Sequence, residues 1–504
     1  MGFVLSASVR QVDVVLFDKT GTLTLNRMAV LAVHSGGRRI TLANDVFFYE
    51  GTRFDPYQKD ELLRLMHVAV LCNEVELNGA AGSYMLEGSA TESALVHLAL
   101  AAGVEVDALR RRYPRVQVEY RAEKQNYMST THTIEGGGKI IAVKGSPAEV
   151  LEMCRWWSKD GVRLPLTETE RTAILVENDR MAGEALRVLG FAYSESKPPD
   201  QSSEEFIWLG MTGMADPLRQ GMKELIALFH QAGIDTLMIT GDQSATAYAI
   251  GKELGLSGDS EIYILDSSRL DELDMDVLTG LAHKVNIFSR VSPANKLQIV
   301  QALQRGGRVA AMTGDGTNDG PALKAADIGI AMGGAGTEVA RNVADVVLED
   351  DNLRTMIVAV SEGRTIYNNI RKSVHFLTAT NLSEIMVMLG SIGTGLGTPL
   401  STSQLLWINL VTDISPALAL AVEPPEPDVL RRPPRDPGEP IVGRADFKRY
   451  GLEASTMTAG SMASYGYAIA RYGSGPQAST LAFMTLTMAQ LLHSYSCRSD
   501  RHSI

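Results

Sequence analysis

Cysteine is scarce. Three residues, Cys72, Cys154 and Cys497, are spread over 504 positions. That number excludes a disulfide scaffold, and the three carry no metal-ligand spacing among themselves. Positive charge is also short: 47 Lys and Arg stand against 59 Asp and Glu, a net charge of −12. This excludes a nucleic-acid binder working through bulk charge. Met1 to Ser8 lack a basic stretch, so no cleavable signal peptide is expected. No internal repeat is found, and the one biased tract, residues 423–440, is rich in Pro and Arg and reads as a linker. With 45% apolar and 21% charged residues, the chain is too apolar for disorder. Its length predicts about three domains at ~150 residues each.

What is present falls into two unlike parts. Over the first 360 or so residues, apolar runs of strand length alternate with helical patterns, and several runs end in acidic or hydroxyl residues. Residues 12–17 lead into Asp18. Residues 236–239 lead into Thr240-Gly241-Asp242. Residues 308–312 lead into Thr313-Gly314-Asp315-Gly316. Residues 327–332 and 345–348 are two further strand candidates, with helical stretches at 221–231, 245–254 and 293–304 between. Strand–helix alternation predicts a parallel sheet covered on both faces. Ligands of such sheets bind off the carboxyl ends of the strands. Asp18, Asp242 and Asp315 are expected to gather there. Residues 25–213 interrupt the alternation and are too long for a loop, so they form an inserted domain.

From about residue 366 the composition changes. Residues 374–396, 401–422, 451–469 and 479–496 are each near the roughly 20 residues that a helix needs to cross a bilayer. Basic residues cluster in alternate connections: Arg364, Arg371 and Lys372 before the first, Arg431, Arg432, Arg435, Arg444, Lys448 and Arg449 between the second and third, Arg498 and Arg501 after the fourth. This asymmetry predicts a multi-pass protein with its large polar part in the cytoplasm. Buried helices of a soluble core are the alternative.

Asp18-Lys19-Thr20-Gly21-Thr22-Leu23-Thr24 directly follows an apolar strand. A carboxylate placed there can attack a phosphoryl group and form an aspartyl-phosphate. That chemistry needs a cation and donors to take up phosphoryl charge. Asp315 is suited to magnesium, Thr240 and Lys296 to phosphate oxygens, and Asn318 and Asp319 complete the acidic loop. Thr20 stands where a carboxylate would act as general acid and base, so a phosphoenzyme is expected to persist. Each aspartate alone could be a strand-end cap; three together argue otherwise.

These residues closely resemble the P-type cation-transporting ATPases. The matching motifs are DKTGTLT at 18–24, KGSP at 144–147, DPLR at 216–219, TGD at 240–242 and TGDGTNDGP at 313–321. The resemblance implies an α/β fold: a haloacid-dehalogenase-like doubly wound parallel sheet, the phosphorylation domain (1–24 and 214–365), interrupted by an α+β nucleotide-binding domain (25–213) and followed by a membrane helix bundle (366–504). It implies that ATP phosphorylates Asp18, that Asp18, the Thr20 carbonyl and Asp315 bind magnesium, and that Thr240, Gly241 and Lys296 contact the phosphoryl group. Asp242 is assigned to the nucleotide. So are Glu92 in GSATESAL, Lys144, Arg187 in ALRVLG, and Tyr120 in YRAEKQNYM, with Lys124 as a substitute charge. Tyr120 stands where the family usually has phenylalanine; it can stack on adenine or be a core aromatic.

In the apolar part, Asn381 and Glu384 share one helix face, and Asn409, Thr412 and Asp413 share another. Two carboxylates in apolar helices, each beside neutral oxygens, point to a cation cage. Their side chains offer about seven oxygens, the right order for calcium. The absence of a mid-span cysteine disfavours copper(I). A polar helix interface is the alternative. The two motifs resemble the ion-binding helices of calcium pumps. Thr487 falls where two-site calcium pumps carry glutamate, which favours one ion per cycle and leaves manganese open. Family members begin with an actuator domain and four further membrane helices. No such segment precedes Asp18 here, so a separate chain supplying it, or a membrane-tethered ATP-binding remnant, is a further expectation. The expected location is the cell membrane, with ATP, a divalent cation and lipid as partners and no nucleic acid.

Overall fold

The structure is a computed structural model and describes residues 11–43, 45–78, 85–122, 125–135, 137–196, 205–258, 260–435 and 438–499. Lys124 lies outside these residues.

A seven-stranded sheet holds the first motif at its centre. Its order is Ile264–Asp266, Ile287–Ser289, Asp235–Ile239, Val14–Asp18, Ala310–Gly314, Ile328–Met332 and Val346–Leu348. Every neighbouring pair is parallel. Val14–Asp18 reads VVLFD and is buried throughout, as expected for a central strand covered on both faces. Its two faces belong to two apolar clusters: Val15 and Phe17 pack with Phe229 and Met238, Val14 and Leu16 with Phe288 and Ile299. The chain adds Asp235–Ile239 on one side of Val14–Asp18 and Ala310–Gly314 on the other. The carboxyl ends of these three strands therefore flank the point where strand order reverses.

Four of the expected strands begin one to two residues early, at 12, 308, 327 and 345. The physical reason is a polar knot at the amino edge of the sheet. Arg308 bonds the Asp13 and Asp235 carboxylates, and Asp13 and Asp327 accept from the amides of Val309 and Ala310. Those first amides are satisfied by side chains rather than by the ladder.

Strands between Ala29 and Ala215 build a second, eleven-stranded sheet. It is antiparallel except where Cys154–Lys159 runs parallel to Phe206–Ala215. Its cores are separate from those of the parallel sheet. The two crossings between the sheets are tied together by the DPLR segment. Asp216 accepts from the Thr24 hydroxyl (2.6 Å) and the Arg27 amide (3.0 Å). Arg219 donates to the carbonyls of Gly21 (2.9 Å) and Thr24 (3.1 Å).

Beyond the sheets lie Arg354–Gly393, a near-continuous helical stretch over 402–421, Arg444–Tyr472 and Pro476–Ser496. Arg354–Gly393 is one unbroken helix of 40 residues, roughly 60 Å long. Its first turns, with Met356, Ile357 and Val360, pack into the core of the parallel sheet. Further along, Phe376 and Val387 pack among the other helices. The compositional change near residue 366 falls inside it. Two of the helices, Arg354–Gly393 and Thr402–Ala421, are long and apolar enough to cross a membrane. The second is interrupted. Pro416 has no N–H and its ring crowds the carbonyl four residues back, at Thr412. There the helix loosens into a wide turn over Ile408–Thr412, with the Asp413 amide reaching back to the Ile408 carbonyl (3.1 Å).

Candidate functional site

Three carboxylates converge at the carboxyl ends of the central strands. Asp18, Asp315 and Asp319 each bring an oxygen within 4.8 Å of the others. Lys296 reaches in from the first turn of Pro293–Arg305, a helix capped by Ser292. Its ammonium donates to Asp18 (2.8 Å) and Asp319 (2.5 Å). Asp319 also accepts from the amides of Asp315 (3.2 Å) and Gly316 (3.0 Å), which fixes the acidic loop. The close approach depends on Gly21. It has φ +75°, and a Cβ there would fall 1.7 Å from the Asp315 carboxylate.

Three carboxylates against one ammonium leave about two negative charges in a largely buried cluster. Burial, and secondarily Asp319, pushes Asp18 up to about 7 despite the pull of Lys296. Burial and then Asp319 push Asp315 up to about 6. Burial works to lower Lys296, but Asp18 and Asp319 outweigh it and its pKa is raised. Raised carboxylates on a fully oxygen donor set fit a hard divalent cation such as magnesium.

The remaining predicted residues sit around this cluster. Thr240 is buried, and its hydroxyl accepts from the Asp242 amide (3.1 Å). Gly241 follows it, and Asp242 pairs with Lys19 (2.8 Å). Thr20 turns its side chain to solvent, and Asn318 is exposed in the short turn Thr317–Asp319, outside the carboxylate cluster. The buried Thr22 hydroxyl has no partner among the described residues, a feature of the loop that motif reading passed over.

On the antiparallel sheet, Lys144 is fully buried and ion-paired with Glu92, in the first turn of Ala90–Ala101. Arg187 donates to Thr91 (3.0 Å), the neighbour of Glu92. Gly145 after the lysine is required by a close crossing, since a Cβ would meet the Tyr127 Cα at 2.4 Å. Tyr120 is 60% exposed and bonds Glu74, which removes the core-aromatic alternative.

The helices hold a second carboxylate cluster. Glu384 accepts from Asn409 (3.4 Å), and Asp413 lies 3.5 Å from the Asn381 amide. Asn381 and Asn409 are exposed at its edge, whereas Glu384, Thr412 and Asp413 are buried. Sequence reasoning missed Gln490. This fully buried amide on Pro476–Ser496 donates to Glu384 (3.1 Å). Its signal was available: it lies three residues after Thr487, on the same helix face. Four buried polar atoms here have no partner among the described residues: the hydroxyls of Thr412 and Thr487, one Asp413 oxygen and the Gln490 carbonyl oxygen. No ion pair to Glu384 or Asp413 occurs among the described residues.

The fold thus defines a mixed α/β protein with an acid-rich site on a parallel sheet, joined to apolar helices. Residues 61–221 match the family model for the P-type ATPase cytoplasmic domain N, and residues 397–504 that for the cation transporting ATPase C-terminus. In both segments the chain is similar to the P-type cation-transporting ATPases. It is 36% identical to a calcium-transporting ATPase of Bacillus subtilis, over 97% of this chain and 56% of that protein. It is 36% identical to calcium-transporting ATPase 1 of Lactococcus lactis, over 98% and 54%. It is 37% identical to the cation-transporting ATPase pma1 of Synechocystis, over 85% and 49%. The chain spans about half the length of these relatives.

Proposed function

We propose that this chain carries the catalytic part and the C-terminal membrane part of an ATP-driven cation pump, with calcium as the transported ion. The parallel sheet is its haloacid-dehalogenase-like phosphorylation domain, the antiparallel sheet its nucleotide-binding domain, and the four helical segments beyond residue 366 belong to a multi-pass bundle in the cell membrane. The observation that carries this reading is the buried cluster of Asp18, Asp315, Asp319 and Lys296 at the strand ends.

In this reading an Asp18 oxygen attacks the γ-phosphorus of ATP. A bond forms from that oxygen to phosphorus, the bond to the β–γ bridging oxygen breaks, and ADP leaves. Asp18, the Thr20 carbonyl and Asp315 would hold magnesium, which would supply screening of the phosphoryl charge. Lys296 pairs with Asp18 and Asp319 at rest and supplies a cation to the phosphoryl oxygens; Thr240 and Gly241 supply further donors. Asp319 holds the Asp315 loop through two amides. With Thr20 in place of a carboxylate, no adjacent base activates water, and the acyl phosphate persists. Glu92, Tyr120, Lys144, Arg187 and Asp242 are the nucleotide contacts.

The second cluster serves the transported ion. It offers only oxygens, from Asn381, Glu384, Asn409, Thr412 and Asp413 with Thr487 and Gln490 added, which suits hard cations. Calcium follows from the names of the relatives, and manganese is the competing ion. The test is acid-quenched labelling with γ-labelled ATP. The label is expected to be acid-stable, released by hydroxylamine and absent in Asp18→Asn. A label of equal size in Asp18→Asn contradicts the proposal.

A further inference from the structure

The helices contain a third cluster, which the proposed pump chemistry leaves unused. His375 on Arg354–Gly393 meets His493 and Cys497 at the end of Pro476–Ser496. One ligand atom from each lies within 4.8 Å of the others, and all three residues are buried. The Cys497 sulfur is 3.4 Å from His493 Nε2. Glu453, on Arg444–Tyr472, accepts from His375 Nε2, and its same oxygen lies 3.7 Å from His493 Nε2. The other Glu453 oxygen is held by Arg449 (2.9 Å).

We propose that His375, His493 and Cys497 form a binding site for a thiophilic divalent ion of the zinc class, with Glu453 as the carboxylate that orients His375. Two imidazoles and one sulfur suit zinc and exclude calcium, magnesium and manganese, which take oxygen. In tetrahedral zinc sites, bonds of about 2.0–2.3 Å place ligand atoms roughly 3.3–3.8 Å apart. The Cys497–His493 separation already meets this, and the rest need contract by about 1 Å. Glu453 occupies His375 Nε2, so this ring would ligate the ion through Nδ1, with the carboxylate as its orienting partner. On binding, the thiol gives up its proton as the sulfur–metal bond forms, and the thiolate and Glu453 together balance the two positive charges.

His375 and Cys497 line a cavity of about 440 Å³, whose wall also carries six Arg and Lys side chains, Arg449 among them, against Glu426, Glu439 and Asp446. The cavity can supply water as a fourth ligand, but its charge gives a cation no electrostatic pull. The ion would cross-link the middle of Arg354–Gly393 to the end of Pro476–Ser496 and, through Glu453, brace a third helix. Gln490, which donates to Glu384, lies one turn before His493. The clamp would therefore steady the helix that closes the oxygen cluster.

The test uses the full chain, without a histidine tag, stripped by chelator and titrated with cobalt(II) as a spectroscopic stand-in for zinc. One equivalent is expected to bind with a thiolate-to-metal absorption band. The band survives Cys72→Ala and Cys154→Ala, disappears in Cys497→Ser, and is displaced by zinc but not by calcium. No band, or a band that persists in Cys497→Ser, overturns the proposal. X-ray absorption of the zinc-loaded wild-type chain gives an answer independent of how variants fold. One sulfur and two imidazoles around zinc support the site; coordination by oxygen and nitrogen alone overturns it.

Discussion

The two proposed working clusters are built from the same acids and solve opposite problems. At the sheet ends, Asp18, Asp315 and Asp319 are held together by a lysine, two backbone amides and a glycine that leaves room for the approach. In the helices, Glu384 and Asp413 have only neutral donors, and four polar atoms around them are unsatisfied. The first cluster is organised before any ligand arrives, as phosphoryl transfer requires of its donors. The second leaves its charge uncancelled, so a cation that binds there gains the most by entering. A buried charge without a partner is costly, and the ion becomes the partner. One helix, Arg354–Gly393, is packed at its start in the sheet core and carries Glu384 further on, so the two clusters share a rigid element.

The comparison is broken most severely at Lys296. Lys296→Ala leaves Asp18 and Asp319 buried against each other without a cation. The expected loss is about 3–5 kcal/mol of stability at neutral pH. Thermal or urea unfolding checks it, and the deficit should shrink as pH falls and the carboxylates protonate. Among the described residues, Glu384 and Asp413 have no lysine partner to lose.

Glu384→Gln sharpens the contrast. Removing one of the two charges should raise the calcium concentration for half-saturation about tenfold to a hundredfold, while the unfolding midpoint stays the same or rises. Calcium-dependent tryptophan fluorescence and thermal melting measure the two effects on one sample. A lowered midpoint with unchanged calcium affinity would make Glu384 a structural partner instead.

Gly21→Ala tests the crowding of the first cluster. The new Cβ would collide with Asp315 and force a left-handed backbone on alanine, at a cost of about 1–3 kcal/mol. Magnesium affinity should fall with stability, because Asp315 must retreat.

A further effect is that of pH. Asp18 and Asp315 are raised to about 7 and about 6, so between pH 4 and 7 the folded chain holds more protons than the unfolded one. The contribution of these groups to metal-free stability is therefore largest at low pH and falls as pH rises through that window. Magnesium needs the ionised forms, so its affinity should rise by up to about tenfold per pH unit for each proton displaced. Melting with and without magnesium at pH 5.5 and 7.5 reads both signs.

Much of this was legible in the sequence because chemistry and secondary structure coincide there. An apolar run that stops at Asp18 or at Thr313-Gly314-Asp315 is at once a buried strand and an acid at its carboxyl end. Glu384 and Asp413 stood out because carboxylates are rare in apolar helices. What was hidden depends on distant contacts. Gln490 is unremarkable until Pro476–Ser496 packs beside Arg354–Gly393. His493 and Cys497 sit at i and i+4 on one helix, but His375 lies more than a hundred residues away. The order of the antiparallel strands has no local signature, because register there is set by cross-strand packing. The loosened turn before Pro416 was readable in principle, yet facial periodicity alone counts Asn409, Thr412 and Asp413 as though the helix were regular.

In the proposed pump, ion occupancy among the helices is expected to govern phosphorylation at the sheet ends. The direct measurement is the amount of hydroxylamine-sensitive label formed from γ-labelled ATP as free calcium is varied, in the wild-type chain and in Glu384→Gln. The account predicts label that rises with calcium in the wild type and needs at least tenfold more calcium in the variant. Label on Asp18 that is the same at every calcium concentration in both would contradict it.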